Sequence, residues 1–169
     1  MPVLSGSDIR RLIGQNPPLV EGWLSLDEQV QTNGIDLTLR DVSLMRSKGQ
    51  IVVDNKDRVV SWLSPLSFDT REYVDLTAGI YMITYNEIVH LPKNIMALGR
   101  PRSSLLRCGV SVGTAVWDAG YEGRSQSLLV VHNPVGFRVQ KNARITQLIF
   151  LELTGESEGY KGLYQGENI

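Results

Sequence analysis

The sequence predicts a single all-β domain, in the form of a sandwich, a jelly roll or a barrel. Short runs rich in β-branched and aromatic residues fill most of the chain, and Gly, Asn, Asp or Pro separates most of them. Helical periodicity is clear in one place, near the N-terminus. A length of 169 residues is typical of one domain, and a hydrophobic content of 42% suffices for a conventional core.

A short helix is predicted in the first such segment, LSGSDIRRLIG. Ser5 or Ser7 can cap its first turn, and Ile9, Leu12 and Ile13 fall on one face at helical spacing. The last glycine of the segment can end the helix, since two prolines follow shortly afterwards. We therefore expect a short N-terminal helix ahead of the β domain.

The predicted strands follow this helix. They are residues 33–39 (NGIDLTL), 59–63 (VVSWL), 73–85 (YVDLTAGIYMITY), 127–133 (SLLVVHN) and 144–153 (RITQLIFLEL). In the first of them Ile35, Leu37 and Leu39 alternate with polar residues, as in a strand with one buried face. We expect residues 1–154 to form the single domain.

The last segment, residues 155–169 (GESEGYKGLYQGENI), has a different composition. Glycines, charged residues and two tyrosines replace the apolar alternation. Composition leaves two interpretations open. The segment is either a frayed terminus or a mobile lid that closes over a ligand, with Tyr160, Lys161 and Tyr164 as contacts.

Charge and cysteine content exclude several classes of protein. The 17 basic and 18 acidic residues give a net charge of -1, which argues against nucleic-acid binding by bulk charge. We see no signal peptide and no apolar run near the roughly 20 residues of a membrane span. Cys108 is the one cysteine, and with His90 and His132 it cannot build a thiolate-rich zinc site. We expect a cytoplasmic protein without a membrane or nucleic-acid partner.

Two segments suggest chemistry with phosphate. GRPRSSLLRCG, residues 99–109, brings three arginines and two serines together between glycines. Guanidinium groups and free N–H groups at a turn can form an anion cradle, although a capped surface turn with solvated arginines has the same composition. GTAVWDAGYEGR, residues 113–124, is typical of a tight β-hairpin, and Asp118 in it either stabilises its own turn or positions a water for phosphoryl transfer.

Two further segments are weak on their own. NGIDL contains an acid just after a glycine at the start of a strand, a common arrangement in turns. ARITQL, residues 143–148, offers Arg144 at a strand start and Gln147 among apolar neighbours. His90 and His132 share no motif, and Ser103 and Ser104 have no histidine partner at a recognisable offset.

Together and in this order, NGIDL, PRSSLLR, GTAVWDAGYEGR and ARITQL resemble the four motifs of the trimeric dUTPase and dCTP deaminase superfamily. The tail YKGLYQG resembles the C-terminal lid of the deaminase branch, and not the glycine-rich tail of ordinary dUTPases. The resemblance implies a distorted β-barrel or jelly-roll subunit that forms a homotrimer. It also implies active sites at subunit interfaces and a Mg²⁺ ion bound through the triphosphate, with no direct protein ligand.

The resemblance further implies a role for each matching residue. Asp118 would be catalytic, and would orient or deprotonate the water that attacks the α-phosphorus of dUTP. The residues implied to bind substrate are Arg102, Ser103, Ser104 and Arg107 at the phosphates, Thr114 and Ala115 at the pyrimidine and sugar, Tyr121 on the deoxyribose, Gln126 and Ser127 as further contacts, and Gln147, Lys161 and Gln165 closing the site.

Hydrolysis and deamination within this superfamily require different acids. The resemblance implies that dCTP deamination needs a glutamate ten residues after the hairpin aspartate, and this chain has Leu128 there. A leucine cannot transfer a proton, and neither Gln126 nor Ser127 is an acid–base group near neutral pH. The sequence therefore predicts a dUTPase of the archaeal, deaminase-like type. The alternatives are a dCTP deaminase, alone or coupled to hydrolysis, and a catalytically silent nucleotide-binding protein.

Overall fold

The fold is mostly β, as predicted, in a computed structural model that describes residues 2–169. Within these residues the strands are β1 Val20–Glu21, β2 Val30–Gln31, β3 Gly34–Met45, β4 Leu63–Pro65, β5 Tyr73–Leu76, β6 Gly79–Tyr85, β7 Ile88–His90, β8 Ile95–Pro101, β9 Val110–Gly113, β10 Val116–Trp117, β11 Glu122–Gly123, β12 Gln126–Val131, β13 Phe137–Gln140 and β14 Arg144–Glu152. The helices are α1 Gly6–Ile13, α2 Leu26–Gln29 and α3 Ser103–Arg107, with a 3₁₀ turn at Asn55–Asp57.

One curled antiparallel sheet forms the body of the molecule. Its main path runs β10-β8-β14-β3-β6-β12-β9, and β2 and β4 pair with the long strand β3. Pairing shifts register between Leu39 and Asp41 and between Arg144 and Thr146. Such irregularities bend strands and increase their twist, which helps the sheet to curl into a half-barrel. Two small sheets, β1-β7-β11 and β13-β5, close its sides.

The core lies inside the curl of this sheet. Ile83, Leu129, Leu148 and Phe150 are almost completely buried, and each alternates along its strand with more exposed neighbours. Helix α1 packs against the core through Ile9. The sheet therefore gives the hairpin between β10 and β11 a rigid base.

Helix α1 begins as the sequence predicts. The Ser5 hydroxyl accepts from the Asp8 N–H at 3.3 Å, and the Asp8 carboxylate accepts from the Ser5 N–H at 3.1 Å. This reciprocal pair is a capping box, which satisfies two donors at the start of the helix. The predicted cap is thus confirmed at Ser5.

The strand predicted at residues 59–63 is wrong in its extent. β4 starts at Leu63, and Val59 makes an isolated bridge to Gln50. The segment between β3 and β4 instead forms a projecting ribbon on which Val59, Val60 and Trp62 are exposed. Its β-branched composition favours extended backbone, but the ribbon has no sheet to bury it.

The C-terminal tail, residues 155–169, folds back onto the hairpin of its own chain. The Tyr160 N–H donates to the Ala119 carbonyl at 2.8 Å, and the Gly166 N–H donates to the Glu122 carbonyl at 2.8 Å. The tail is therefore docked in this structure, and its mobility stays a prediction. No helix among residues 2–169 is long and apolar enough to cross a membrane.

Candidate active site

The hairpin between β10 and β11 carries the predicted acid. The Tyr121 N–H donates to the Asp118 carbonyl at 3.1 Å, which closes a tight turn, and Gly120 in that turn has a φ of +84°. Glycine adopts this left-handed conformation without a steric cost. The turn leaves the Asp118 side chain exposed at the edge of a cleft of about 310 Å³.

This cleft, which we call the Asp118 cleft, joins the hairpin to the tail. Ala115, Trp117, Tyr121 and Gln126 form its hairpin side, and Tyr160, Tyr164 and Glu167 form its tail side. The predicted residues Ala115, Asp118, Tyr121 and Gln126 therefore lie together in one cleft. These four residues lie close together because of the strand order. The short strand β10 pairs with β8, and the hairpin after β10 leads into β12.

A buried chain of hydrogen bonds runs through the cleft. The Trp117 indole N–H donates to the Ser125 hydroxyl at 2.5 Å, and the Tyr121 hydroxyl lies 3.1 Å from the same oxygen. Tyr121 in turn donates to the Glu167 carboxylate at 2.8 Å. Burial raises the pKa of the Tyr121 hydroxyl above its ordinary value, and the Glu167 carboxylate raises it further. The hydroxyl is therefore protonated near neutral pH and can donate to Glu167.

Two tail residues predicted to close the site, Lys161 and Gln165, make contacts within the docked tail and hairpin. The Gln165 side chain accepts from the Glu122 N–H and donates to the Gly120 carbonyl, both at 3.2 Å, so it fastens the tail to the hairpin. Lys161 is exposed and pairs with Glu158 at 3.1 Å. Neither side chain lines the Asp118 cleft, whereas Tyr164 and Glu167 do.

The arginine–serine motif lies in a second cleft, of about 250 Å³, that includes Arg102, Ser104 and Arg144. Asp36, from the NGIDL segment, is 2% exposed and holds both arginines, with its Oδ2 3.0 Å from Arg102 Nε and 3.6 Å from Arg144 Nη1. Burial raises the pKa of Asp36, and the two guanidinium groups counteract part of that effect. Asp36 thus sets the orientation of the arginines from beneath.

The rest of this motif faces solvent. Ser103, Ser104 and Arg107 are exposed on the short helix α3, which begins directly after Arg102. Exposed hydroxyl and guanidinium groups beside the paired arginines form a surface that can accept an anion. The motif predicted as a phosphate cradle is therefore brought together in space, apart from the Asp118 cleft.

The distance between the two clefts follows from strand geometry. Trp117 of β10 lies opposite Ala97 of β8, so Asp118 lies level with Met96. Arg102 follows the far end of β8, six residues further along. A strand advances about 3.3 Å per residue, so Asp118 and Arg102 are separated by about 20 Å along the sheet.

The remaining predicted residues lie between the clefts or inside the core. The Thr114 hydroxyl donates to the Gly99 carbonyl at 3.3 Å, and Gln147 on β14 pairs with Arg100 and Asp36. The Ser127 side chain is 3% exposed and points into the core. Alternation along β12 turns this side chain away from solvent in the single chain, and substrate binding by Ser127 stays a prediction.

Leu128 occupies the opposite face of β12 from Ser127. It is partly exposed and lies across from Gly113 of β9 and Met82 of β6. This is the face that carries Gln126, which lines the Asp118 cleft and donates to the Thr84 hydroxyl at 3.0 Å. The residue in the glutamate position is thus on the strand face that leads into the cleft, and it is apolar.

A magnesium ion would find few protein ligands in this chain. Among residues 2–169 there is no group of three or more His, Cys, Asp or Glu side chains that could hold a metal ion. His90 lies near Glu21 and Glu122, at 3.4 and 3.3 Å, but its two ring nitrogens face different carboxylates.

The curled antiparallel sheet, the acid-bearing hairpin and the arginine–serine motif define a protein of the superfamily that the sequence resembles. The chain belongs to the dCTP deaminase-like family, whose model matches residues 3–153.

Several similar relatives are archaeal proteins. A Methanosarcina mazei protein named "probable deoxyuridine 5'-triphosphate nucleotidohydrolase" is 48% identical over 169 residues, covering 99% of each chain. An Archaeoglobus fulgidus protein of the same name is also 48% identical, covering 100% of this chain and 99% of its own. A solved structure, the dCTP deaminase of Agrobacterium tumefaciens, is 24% identical with a TM-score of 0.66, covering 88% of this chain and 47% of that chain. That likeness confirms the predicted fold.

Proposed function

We propose that this protein hydrolyses dUTP to dUMP and pyrophosphate. The observation that carries the proposal is the pairing of an exposed carboxylate, Asp118, with an apolar residue, Leu128, on the strand face that leads into the same cleft. The full-length archaeal relatives named for this activity support it. Asp118 orients or deprotonates the water that attacks the α-phosphorus, a step that needs one carboxylate near the water.

The surrounding side chains support a mode of nucleotide binding. The pyrimidine and sugar lie in the Asp118 cleft, between the hairpin backbone near Ala115 and the ring of Tyr121. The triphosphate extends to the exposed groups of an arginine–serine motif. There the positive charges of Arg102 and Arg107 balance the negative charge of the leaving pyrophosphate. Mg²⁺, carried by the triphosphate, would add positive charge at the phosphate oxygens.

We propose that each site is shared between subunits of a homotrimer. A separation of about 20 Å along the sheet is longer than a nucleoside triphosphate can bridge while its α-phosphorus stays beside Asp118. The phosphate cradle that serves one Asp118 must therefore come from a neighbouring copy. Because nucleoside triphosphates are made and used inside cells, we also propose that the protein acts in the cytoplasm.

The activity is tested with a substrate panel of dUTP, dCTP, dTTP and UTP in the presence of Mg²⁺, following both pyrophosphate and ammonia. We expect pyrophosphate from dUTP and no ammonia from dCTP. Asp118→Asn should lower the rate by about 10² to 10⁴, the usual contribution of a positioned general base. Asp57→Asn, at an exposed aspartate of the projecting ribbon, is the matched control and should keep full activity.

Three results would contradict the proposal. Ammonia release from dCTP would assign the deaminase activity in spite of Leu128. Tight dUTP binding without turnover would assign a silent binding protein. Undiminished pyrophosphate release by Asp118→Asn would remove this residue from the mechanism.

The shared site is tested by mixing two inactive variants, Asp118→Asn and Arg102→Ala. In a reassembled mixed oligomer, some sites receive an intact Asp118 from one chain and an intact Arg102 from the other. Random assembly should restore roughly a quarter of the wild-type activity, because each interface site draws on two chains. A mixture that stays inactive would indicate that both residues act within one chain.

A further inference from the structure

Glu167 is a residue of the Asp118 cleft that the sequence motifs do not explain. Its backbone is held in a parallel bridge to Gly123, and its carbonyl accepts from the Arg124 N–H at 2.9 Å. Its side chain accepts the 2.8 Å hydrogen bond from the Tyr121 hydroxyl. Glu167 is therefore fixed by its backbone and directed at one side chain of the hairpin.

The space around this contact is made by a glycine. A Cβ atom added to Gly123 would lie 2.6 Å from the Tyr121 hydroxyl oxygen and 3.2 Å from Glu167 Cγ. Any larger residue at this position would displace the hydroxyl or the carboxylate. Because Gly123 has no side chain, β11 leaves room for the Tyr121–Glu167 contact.

Tyr121 is held from several directions when the tail is docked. Its ring is 6% exposed and makes an edge-to-face contact with the Tyr160 ring, with centroids 5.7 Å apart. Its hydroxyl lies between Ser125 and Glu167. A ring fixed at both its edge and its hydroxyl cannot shift to make room for an additional atom on a ligand.

We propose that Glu167 is a positioning residue for sugar selection, which holds the Tyr121 ring so that a ribose 2′-hydroxyl is excluded. This inference rests on the proposed function, in which the deoxyribose packs on Tyr121. Selection against ribonucleotides then depends on the docked tail, because Glu167 contacts Tyr121 only from there. Burial raises the pKa of Glu167, whereas the Tyr121 hydrogen bond counteracts the rise, as expected for a carboxylate whose main partner is this hydroxyl.

The test compares binding of the non-hydrolysable imido analogues of dUTP and UTP by calorimetry. Glu167→Ala and Tyr121→Phe should each reduce the preference for the deoxy analogue about tenfold, the effect of one hydrogen bond to a charged group. Glu167→Gln keeps an acceptor and should retain most of the preference. Combining Glu167→Ala with Tyr121→Phe should add little, because both variants remove the same contact.

The matched control is Glu156→Ala, an exposed glutamate of the same tail, which should leave the preference unchanged. Hydrogen exchange of residues 157–168 is measured on every variant, so that release of the tail is recorded separately. A tail that is released while the preference is unchanged would show that Glu167 only anchors the tail, and would overturn the proposal. So would a wild-type protein that binds both analogues equally.

These outcomes are separate from a failure of the proposed function. The binding preference does not require turnover, so it is measurable even if wild type releases no pyrophosphate. Conversely, full dUTP hydrolysis with an unchanged preference in Glu167→Ala would overturn this inference and leave the proposed function intact.

Discussion

Substituting Gly120 by alanine should undock the tail. A Cβ at Gly120 would lie 2.7 Å from Gly159 Cα and 2.9 Å from the Tyr160 nitrogen. Both are main-chain atoms, which cannot rotate away, so the tail must move. Forcing an added carbon into so close a contact costs about 1 kcal/mol or more, whereas the cost of the left-handed φ of +84° falls on the hairpin whether or not the tail is docked. Losing the hydrogen bond from Tyr160 to the Ala119 carbonyl costs about 1 kcal/mol more.

These contributions destabilise the docked tail by about 2 kcal/mol, or roughly 30-fold in the docking equilibrium. Hydrogen exchange of residues 157–168, followed by mass spectrometry, should accelerate by about this factor. The Michaelis constant for dUTP should rise, because Tyr160 and Tyr164 leave the Asp118 cleft together with the tail.

Two glycines of the same tail provide controls. Gly155 has no atom within 4 Å of an added Cβ, so Gly155→Ala should exchange like wild type. An added Cβ at Gly166 also meets no atom within 4 Å, but Gly166 has a φ of +74°. Gly166→Ala should therefore destabilise the docked tail by the backbone cost alone, about 1 kcal/mol. If Gly120→Ala exchanged no faster than Gly166→Ala, contact between the hairpin and the tail backbone would not be what holds the tail.

Three further predictions concern the body of the fold. Burial raises the pKa of Asp36, so its ionised form costs stability at pH 7, and Asp36→Asn should leave the melting temperature at that pH unchanged or higher. The same variant should increase the Michaelis constant for dUTP about tenfold, because Arg102 loses its charged partner. Burial also raises the pKa of Glu87, so its contribution to stability is present below the ordinary glutamate pKa and is lost as pH rises through the raised value. Thermal melts between pH 4.5 and pH 8 should show the melting temperature fall as pH rises, and the fall should be smaller in Glu87→Gln. Ser5→Ala removes the capping box and should cost about 1 kcal/mol, or about 2–4 °C in melting temperature.

The sequence predicted the elements whose pattern is local. Helix α1 has a cap and three apolar residues at helical spacing, and β14 has nine residues of clear β composition. Helices α2 and α3 have four and five residues, too few for a periodic pattern. α2 depends on a distant contact, because the buried Gln29 amide donates to Glu87 at 2.7 Å across the fold.

For the candidate site, the sequence analysis depended on short motifs, and the roles it assigns stay predictions. The motifs located Asp118 and Arg102, because superfamily resemblance depends on short contiguous segments. They did not locate Ser125 or Glu167, whose roles come from packing. Tyr121 and Glu167 are 46 residues apart, and neither a period nor a motif links them. Trp117 was a signal for a buried polar partner. Because its indole is buried, the indole N–H needs a hydrogen-bond acceptor nearby.

The placement of charge is consistent with the proposal that such a site is divided between chains. In the arginine–serine cleft one buried carboxylate, Asp36, faces two guanidinium groups, which leaves a net positive charge for an anion. Asp118, about 20 Å away along the same sheet, lies beyond the Debye length of about 8 Å at physiological ionic strength, so it does not neutralise that charge. Within one chain, the arginine–serine motif and the Asp118 carboxylate thus do not interact electrostatically. In the proposed homotrimer, assembly would bring Asp118 of one copy to the arginine–serine motif of another, and the triphosphate would then separate the two opposite charges.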